Sequence, residues 1–213
     1  MYKRQDYNGA PYWSGEVDCC INGYTLANGA WLGTDVEGIS QWFLEHQLDD
    51  GGWNCDWVEG STRSSVHSTL NSLRGILYYE MATGGSAELT AARKRGEEYL
   101  LQRHLMFRKS NNEFIAPWIT TLTYPFRWRY SVLNALDYFR TCSNYEDSRP
   151  DSRLTQAIDA LRHMQQPDGT WMQQTKLRGR VWFEVDSEIG EPSKWLTLYA
   201  LRTLNWWDAG STR

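Results

Sequence analysis

Two short segments of this sequence carry the same pattern. Gln47-Leu48-Asp49-Asp50-Gly51-Gly52-Trp53 reads Q-x-x-D-G-x-W, and Gln166-Pro167-Asp168-Gly169-Thr170-Trp171 reads as that motif shortened by one residue. Asp-Gly marks a turn, because Asp bonds its own backbone and Gly accepts a positive φ without steric cost. Each turn follows one amphipathic stretch and precedes another. A repeat of this kind implies supersecondary units that bury their apolar faces only by stacking on their neighbours. A degenerate third copy falls at residues 110–114 (SNNEF), where only turn residues and an aromatic survive.

The intervals between the turns have helical periodicity. Residues 17–32 carry small and apolar side chains on several faces, as a buried inner helix should. Thr34 or Asp35 is placed to cap a helix over 36–47, with Ile39, Trp42, Phe43 and His46 at helical spacing. A helix over 64–81 is ended by Gly84-Gly85. Residues 87–105 hold Arg93, Lys94, Arg95, Glu97 and Glu98, which predicts a solvated outer helix. Helices follow over 129–142, 151–166 and 193–207, the last begun by Pro192-Ser193. Only residues 180–185 (RVWFEV) have a strand-like composition. The expected class is all-α, a single domain over residues 1–213 with about four inner and three outer helices.

Composition narrows the functions open to such a chain. Its 213 residues include 41% hydrophobic and 23% charged, ordinary for a globular protein. A net charge of −4 provides no basic footprint, so nucleic acid is not an expected partner. No apolar stretch approaches the roughly 18 residues of a transmembrane segment, and the polar start lacks a signal-peptide core. Cys19, Cys20, Cys55 and Cys142 do not space out as a disulfide framework, which suggests a reducing compartment and makes the cytoplasm the expected location. The opening MYKRQ resembles a read-through peptide, so an N-terminally truncated member of a larger fold is expected. The 12 Trp and 12 Tyr suit interlayer packing and aromatic-lined pockets alike.

At QLDDGGW and QQPDGTW the chain resembles the QW repeats of squalene and oxidosqualene cyclases. Over QWFLEHQLDDGGWNCDWVEGSTRSSVHSTLN, FRWRYSVLNALDYFR and EPSKWLTLYALRTLNWW it is similar to bacterial squalene-cyclase-like and prenyltransferase-like proteins of the terpenoid cyclase and protein prenyltransferase superfamily. The resemblance implies an α/α toroid of which this chain supplies a little over half. An unfinished toroid is expected to leave an apolar inner-helix flank exposed and to self-associate through it. The acidic D-x-D-D motif of class II terpene cyclases has as its nearest match Glu16-Val17-Asp18-Cys19, in which both ends differ.

Protein prenyltransferases hold zinc through Asp-x-Cys at the start of one inner helix and His near the start of the next. Asp18-Cys19-Cys20 and His67 stand at such points, so the resemblance implies zinc on Asp18, Cys20 and His67, with Asp18 and His67 catalytic. Zinc accepts this ligand chemistry, and three protein ligands leave a fourth position for water or substrate. A helix N-terminus also favours thiolate over thiol. Cys19 is then a spare thiol directed elsewhere, and Cys55 is structural or at most an alternative ligand. The bland readings stand beside this one: Cys20 as a small core residue, Asp18 as an N-cap, His67 as a hydrogen-bonded core imidazole.

The toroid implied by the resemblance would gather Arg63, Arg127, Trp128, Arg129, Tyr130 and Trp195 around the same mouth as substrate-binding residues. The arginines could equally pair with Glu184, Asp186 or Glu188, and Trp53 and Trp171 belong within their turns. No cation flanks Asp18-Cys19-Cys20 to hold a prenyl diphosphate. Neither nucleotide-binding loops nor a G-x-S-x-G or H-E-x-x-H motif occurs. The expected function is therefore a zinc-dependent enzyme that activates water or a thiol and acts on a small-molecule, isoprenoid or peptide substrate. The alternatives are an isoprenoid cyclase using cavity acids and a non-catalytic lipid- or peptide-binding scaffold.

Overall fold

The computed structural model describes residues 6–7, 10–11, 13, 18–179 and 181–211. Its described residues are mostly helical: α1 (Cys19–Leu32), α2 (Glu37–Glu45), α3 (Val66–Thr83), α4 (Ala87–Leu101), α5 (Val132–Tyr145), α6 (Thr155–His163) and α7 (Lys194–Ser211). Strand structure among the described residues is limited to two-residue pairs and one isolated bridge between Phe107 and Phe114. β1 (Asp6–Tyr7) lies antiparallel to β2 (Ala10–Pro11), and β3 (Trp171–Met172) to β4 (Pro192–Ser193). Residues 181–185 form no strand, contrary to their composition, and Arg180 lies outside the described residues. Backbone packing separates two compact units, Met1–Leu100 and Leu101–Arg213.

In the first unit α1 lies directly against α3. Glycine makes this approach possible: a Cβ on Gly75 would stand 2.5 Å from the Gly23 Cα, and one on Gly23 would stand 2.4 Å from the Asn71 carbonyl oxygen. Contact is thus backbone to backbone, and the buried α1 face contains small and polar residues, Asn22, Gly23, Thr25 and Gly29, rather than a leucine stripe. Asp18 caps α1 by accepting from the Cys20 and Ile21 N–H groups, while Gly33 closes it in the left-handed conformation. Val17, where the sequence suggested the helix begins, lies outside the described residues.

α4 is the expected solvated helix only in part: Lys94 and Arg95 are exposed, but Arg93 and Glu97 are buried. Arg93 is 1% exposed and ion-paired with Glu80 of α3 at 2.8 Å and with Glu97 at 2.6 Å. Arg95 bonds Gln47 through its Nε at 2.9 Å. Charge alone did not distinguish a solvated face from one whose charges neutralise each other inside.

The second unit repeats the main hydrogen bonds of the turn of the first. Gln47 Nε2 donates to the Gly51 carbonyl at 2.7 Å, and Gln165 Nε2 to the Gly169 carbonyl at 3.1 Å. The N–H of Leu48 reaches Gly52 O at 2.9 Å as that of Gln166 reaches Thr170 O at 2.8 Å. Trp53 Nε1 donates to Phe43 O at 3.0 Å and Trp171 Nε1 to Leu161 O at 2.9 Å, ten residues back in both cases. The backbone N–H of each Trp then donates to a threonine, Thr69 of α3 or Thr197 of α7, at 3.1 Å. The counterpart of Gln47 is therefore Gln165, and the second segment is not shortened. Both indoles are fully buried. Residues 110–114 form a different turn, with Phe114 half exposed and stacked on Phe107 at 5.2 Å.

Candidate metal centre

Four side chains of the first unit converge at the N-terminus of α1. One ligand atom from each of Asp18, Cys19, Cys20 and Cys55 lies within 4.8 Å of the others. Asp18 and the two adjacent cysteines come from the helix cap, where the backbone is only becoming helical and neighbouring side chains can serve one point. Cys55 arrives from the turn two residues after Trp53. Its backbone N–H donates to Ser68 Oγ of α3 at 3.1 Å, and that hydroxyl approaches the Cys55 Sγ at 3.3 Å. The anchored indole of Trp53 and Ser68 in the first turn of α3 thus carry Cys55 to the end of α1.

Within the cluster the Cys55 Sγ is 3.2 Å from that of Cys20, 3.4 Å from that of Cys19 and 2.9 Å from Asp18 Oδ1. Thiolates bound to one tetrahedral zinc at about 2.3 Å would be about 3.8 Å apart. The two thiol contacts of Cys55 are slightly shorter than that, so Cys55 would move outward a little on loading. Asn71 of α3 donates through Nδ2 to the Cys20 Sγ at 3.4 Å, a contact that orients the sulfur from outside the cluster. Cys19 is almost completely buried, whereas Asp18, Cys20 and Cys55 are half-buried. The centre therefore has a closed side and an accessible one.

Its proton chemistry is that of crowded acids. Hydrogen bonds to Cys19 and Cys55 draw the Cys20 thiol down to about 4. The Cys19 thiol is pushed up by its bonds with Cys20 and Cys55 and by burial, so it keeps its proton. Burial, then the Cys55 thiol beside it, raises the Asp18 carboxyl to about 6. Cys20 is thus the favoured thiolate and Cys19 keeps its proton beside it, a proton that a divalent cation would have to displace.

Sequence reasoning placed Asp18 and Cys20 here. It sent Cys19 elsewhere, left Cys55 as a secondary candidate and named His67 as the third ligand. His67 stands in the first turn of α3, half-buried, and is not a member of the cluster. The available signal for Cys55 was its place two residues after the Trp of the turn. In the other unit that position is Gln173, fully buried, bonded through its amide to the N–H and carbonyl of Tyr124 at 2.9 and 2.7 Å. In both copies this position projects onto the segment ahead of a buried helix.

Of the other expected substrate residues, only Arg63 belongs to the unit that holds this cluster. Arg63 is exposed, and its carbonyl accepts from Asn54 Nδ2 at 2.8 Å. The rest belong to the second unit. Tyr130 is fully buried, its hydroxyl donating to Leu105 O at 2.7 Å, and acts as a core residue. Arg129 is half-buried and its carbonyl holds Asn134 at 2.8 Å. Trp128 is 52% exposed. Trp195 donates to Val185 O at 3.0 Å and stacks on Tyr124 at 5.3 Å. Arg127 is exposed and borders a cavity. Glu184 and Glu188 pair with Lys176, and Asp186 accepts from the Ser193 hydroxyl.

Comparison with protein-family models, curated proteins and solved structures finds no match to this chain. Among the described residues no helix is long and apolar enough to cross a membrane.

Proposed function

We propose that the Asp18, Cys19, Cys20 and Cys55 cluster holds one zinc ion and that the chain is a zinc-dependent enzyme on a squalene-cyclase-like or prenyltransferase-like α/α toroid. The convergence of three thiols and a carboxylate within 4.8 Å carries this reading. A donor set rich in sulfur suits zinc and is poorly matched to magnesium or calcium, which take oxygen ligands. Asp18 already spends one oxygen on the cap of α1, so it is the ligand most readily yielded to water or substrate. Cys19, in the closed wall, fixes the centre, and Cys20 and Cys55 on the accessible side are the thiols nearest an incoming molecule. Bound zinc would act as a Lewis acid that lowers the pKa of water or a substrate thiol. The turn anchored by Trp53 supports the toroid part of the reading, since it ties a buried helix to its outer neighbour as repeated toroid hairpins require.

Elemental analysis of the purified, tag-free chain should find one zinc per molecule. Cys20→Ala and Cys55→Ala should each abolish stoichiometric metal, whereas His67→Ala should retain it. Zinc-free protein, or full zinc in Cys55→Ala, would sink the assignment. Chelator-sensitive turnover in a screen of ester, amide and thiol-transfer substrates would place the metal in the reaction.

A further inference from the structure

Two thiols of the cluster are placed for a chemistry other than metal binding. Cys20 Sγ and Cys55 Sγ stand 3.2 Å apart, and both side chains are half-buried. That separation falls between two states: about 3.8 Å when both sulfurs sit on one tetrahedral zinc, and about 2.05 Å when they are bonded to each other. Reaching the second takes an approach of only about 1 Å. Both sulfurs are held from α3, Cys20 by Asn71 Nδ2 at 3.4 Å and Cys55 by its backbone bond to Ser68 Oγ at 3.1 Å, so the pair is pre-positioned. The other pairings are less favourable. Cys19, 3.4 Å from Cys55, is 1% exposed and shielded from a dissolved oxidant. Cys19 and Cys20 adjoin across one trans peptide, which sets their Cα atoms about 3.8 Å apart, below the span of about 4.4–6.8 Å that disulfides take. Cys142 belongs to the other unit.

We infer that Cys20 and Cys55 are a redox pair that a peroxide closes to a reversible disulfide, and that closure expels zinc from the cluster. The second clause rests on the reading that the cluster holds zinc; the first does not. The peroxide transfers one oxygen to one of the two sulfurs as its O–O bond breaks, leaving a sulfenic acid and one water. The other sulfur attacks that sulfur, the S–S bond forms, and the sulfenic oxygen leaves as a second water. In sum, two zinc-bound thiolates, one hydrogen peroxide and two protons give one disulfide, one zinc ion and two waters, with two electrons passing from sulfur to peroxide. Asp18 and Cys19 then remain, fewer than the three protein ligands a zinc site keeps, and the metal is lost. A half-buried disulfide stays open to exchange with a dithiol, which restores both thiols and the site.

Metal and bond are followed separately in the full chain. Elemental analysis fixes the zinc content first. Hydrogen peroxide is then added with a chromophoric chelator present, and remaining thiols are alkylated before the peptides are mapped by mass. The expected result is one zinc released per disulfide formed, a link between Cys20 and Cys55, and reversal of both by dithiothreitol and added zinc. Cys19→Ser should still form the link, whereas Cys55→Ala should leave Cys20 as a sulfenic acid that dimedone traps. A zinc-loaded chain that keeps its metal and its free thiols under peroxide would overturn the inference while the metal centre stands. A disulfide through Cys19 or Cys142, or zinc lost with no disulfide, would overturn it as well. A chain that never takes up zinc yet forms the Cys20–Cys55 bond would sink the metal reading and support the redox pair.

Discussion

Asp18 performs two tasks with one side chain. It caps α1 through the Cys20 and Ile21 N–H groups, and its carboxyl, raised to about 6 by burial and by Cys55, closes the thiol cluster. The residue that reads in sequence as either an N-cap or a ligand is thus an N-cap by geometry and a candidate ligand by position. Below about pH 6 this carboxyl carries a proton that a metal ion must displace; above it, none. Zinc affinity, followed by competition with a chromophoric chelator from pH 8 to pH 5, should therefore fall more steeply below about pH 6 in the parent than in Asp18→Asn. Parallel curves would show that Asp18 does not ligate. Asparagine retains the cap oxygen, so the comparison leaves α1 intact.

The contact between α1 and α3 is where element and site meet. Gly23 and Gly75 bring the backbones together, and that closeness sets Asn71 and Ser68 of α3 against Cys20 and Cys55. Gly75→Ala would place a methyl 2.5 Å from the Gly23 Cα and oxygen, with no flexible side chain to move aside. It should destabilise the fold by about 1–3 kcal/mol in denaturant titration, an overpacking cost, and also weaken metal binding. An unchanged midpoint would show that the helices can separate freely. Periodicity predicted both helices, but it could not reveal their glycine contact, because a glycine in a helix reads only as a weak position until its neighbour is known. The same holds for α4, where Arg93 looked solvated until Glu80 of α3 was found beside it.

At the scale of the whole molecule, two units are built on one turn design, each centred on a buried indole. Trp53 donates to Phe43 and Thr69, and Trp171 to Leu161 and Thr197. Trp53→Ala and Trp171→Ala should each cost about 3–5 kcal/mol. With no partner in common, the losses should add to within about 0.5 kcal/mol if both are read from a single cooperative transition. A split into two transitions, each moved by one substitution only, would show that the units unfold separately. The design diverges two residues beyond the Trp, where Cys55 serves a thiol cluster and Gln173 ties down Tyr124. The same architectural position joins a thiol cluster in one unit and a backbone clasp in the other.

The sequence by itself determined the helical class, the positions of the helices to within a few residues, and the two turns, because amphipathic period and Asp-Gly chemistry are local properties. It also pointed to Asp18 and Cys20, through their resemblance to the Asp-x-Cys zinc element of protein prenyltransferases. Tertiary structure alone decided the rest of the cluster. Cys55 lies 35 residues from Cys20 along the chain and joins it only because Trp53 and Ser68 fix the turn against α1 and α3. His67 had the right residue type at the expected repeat position, yet side-chain convergence is set by helix phase and approach distance, and spacing encodes neither. The strand-like run at 181–185 failed for the related reason that β-propensity needs a partner strand, and the fold offers none among the described residues.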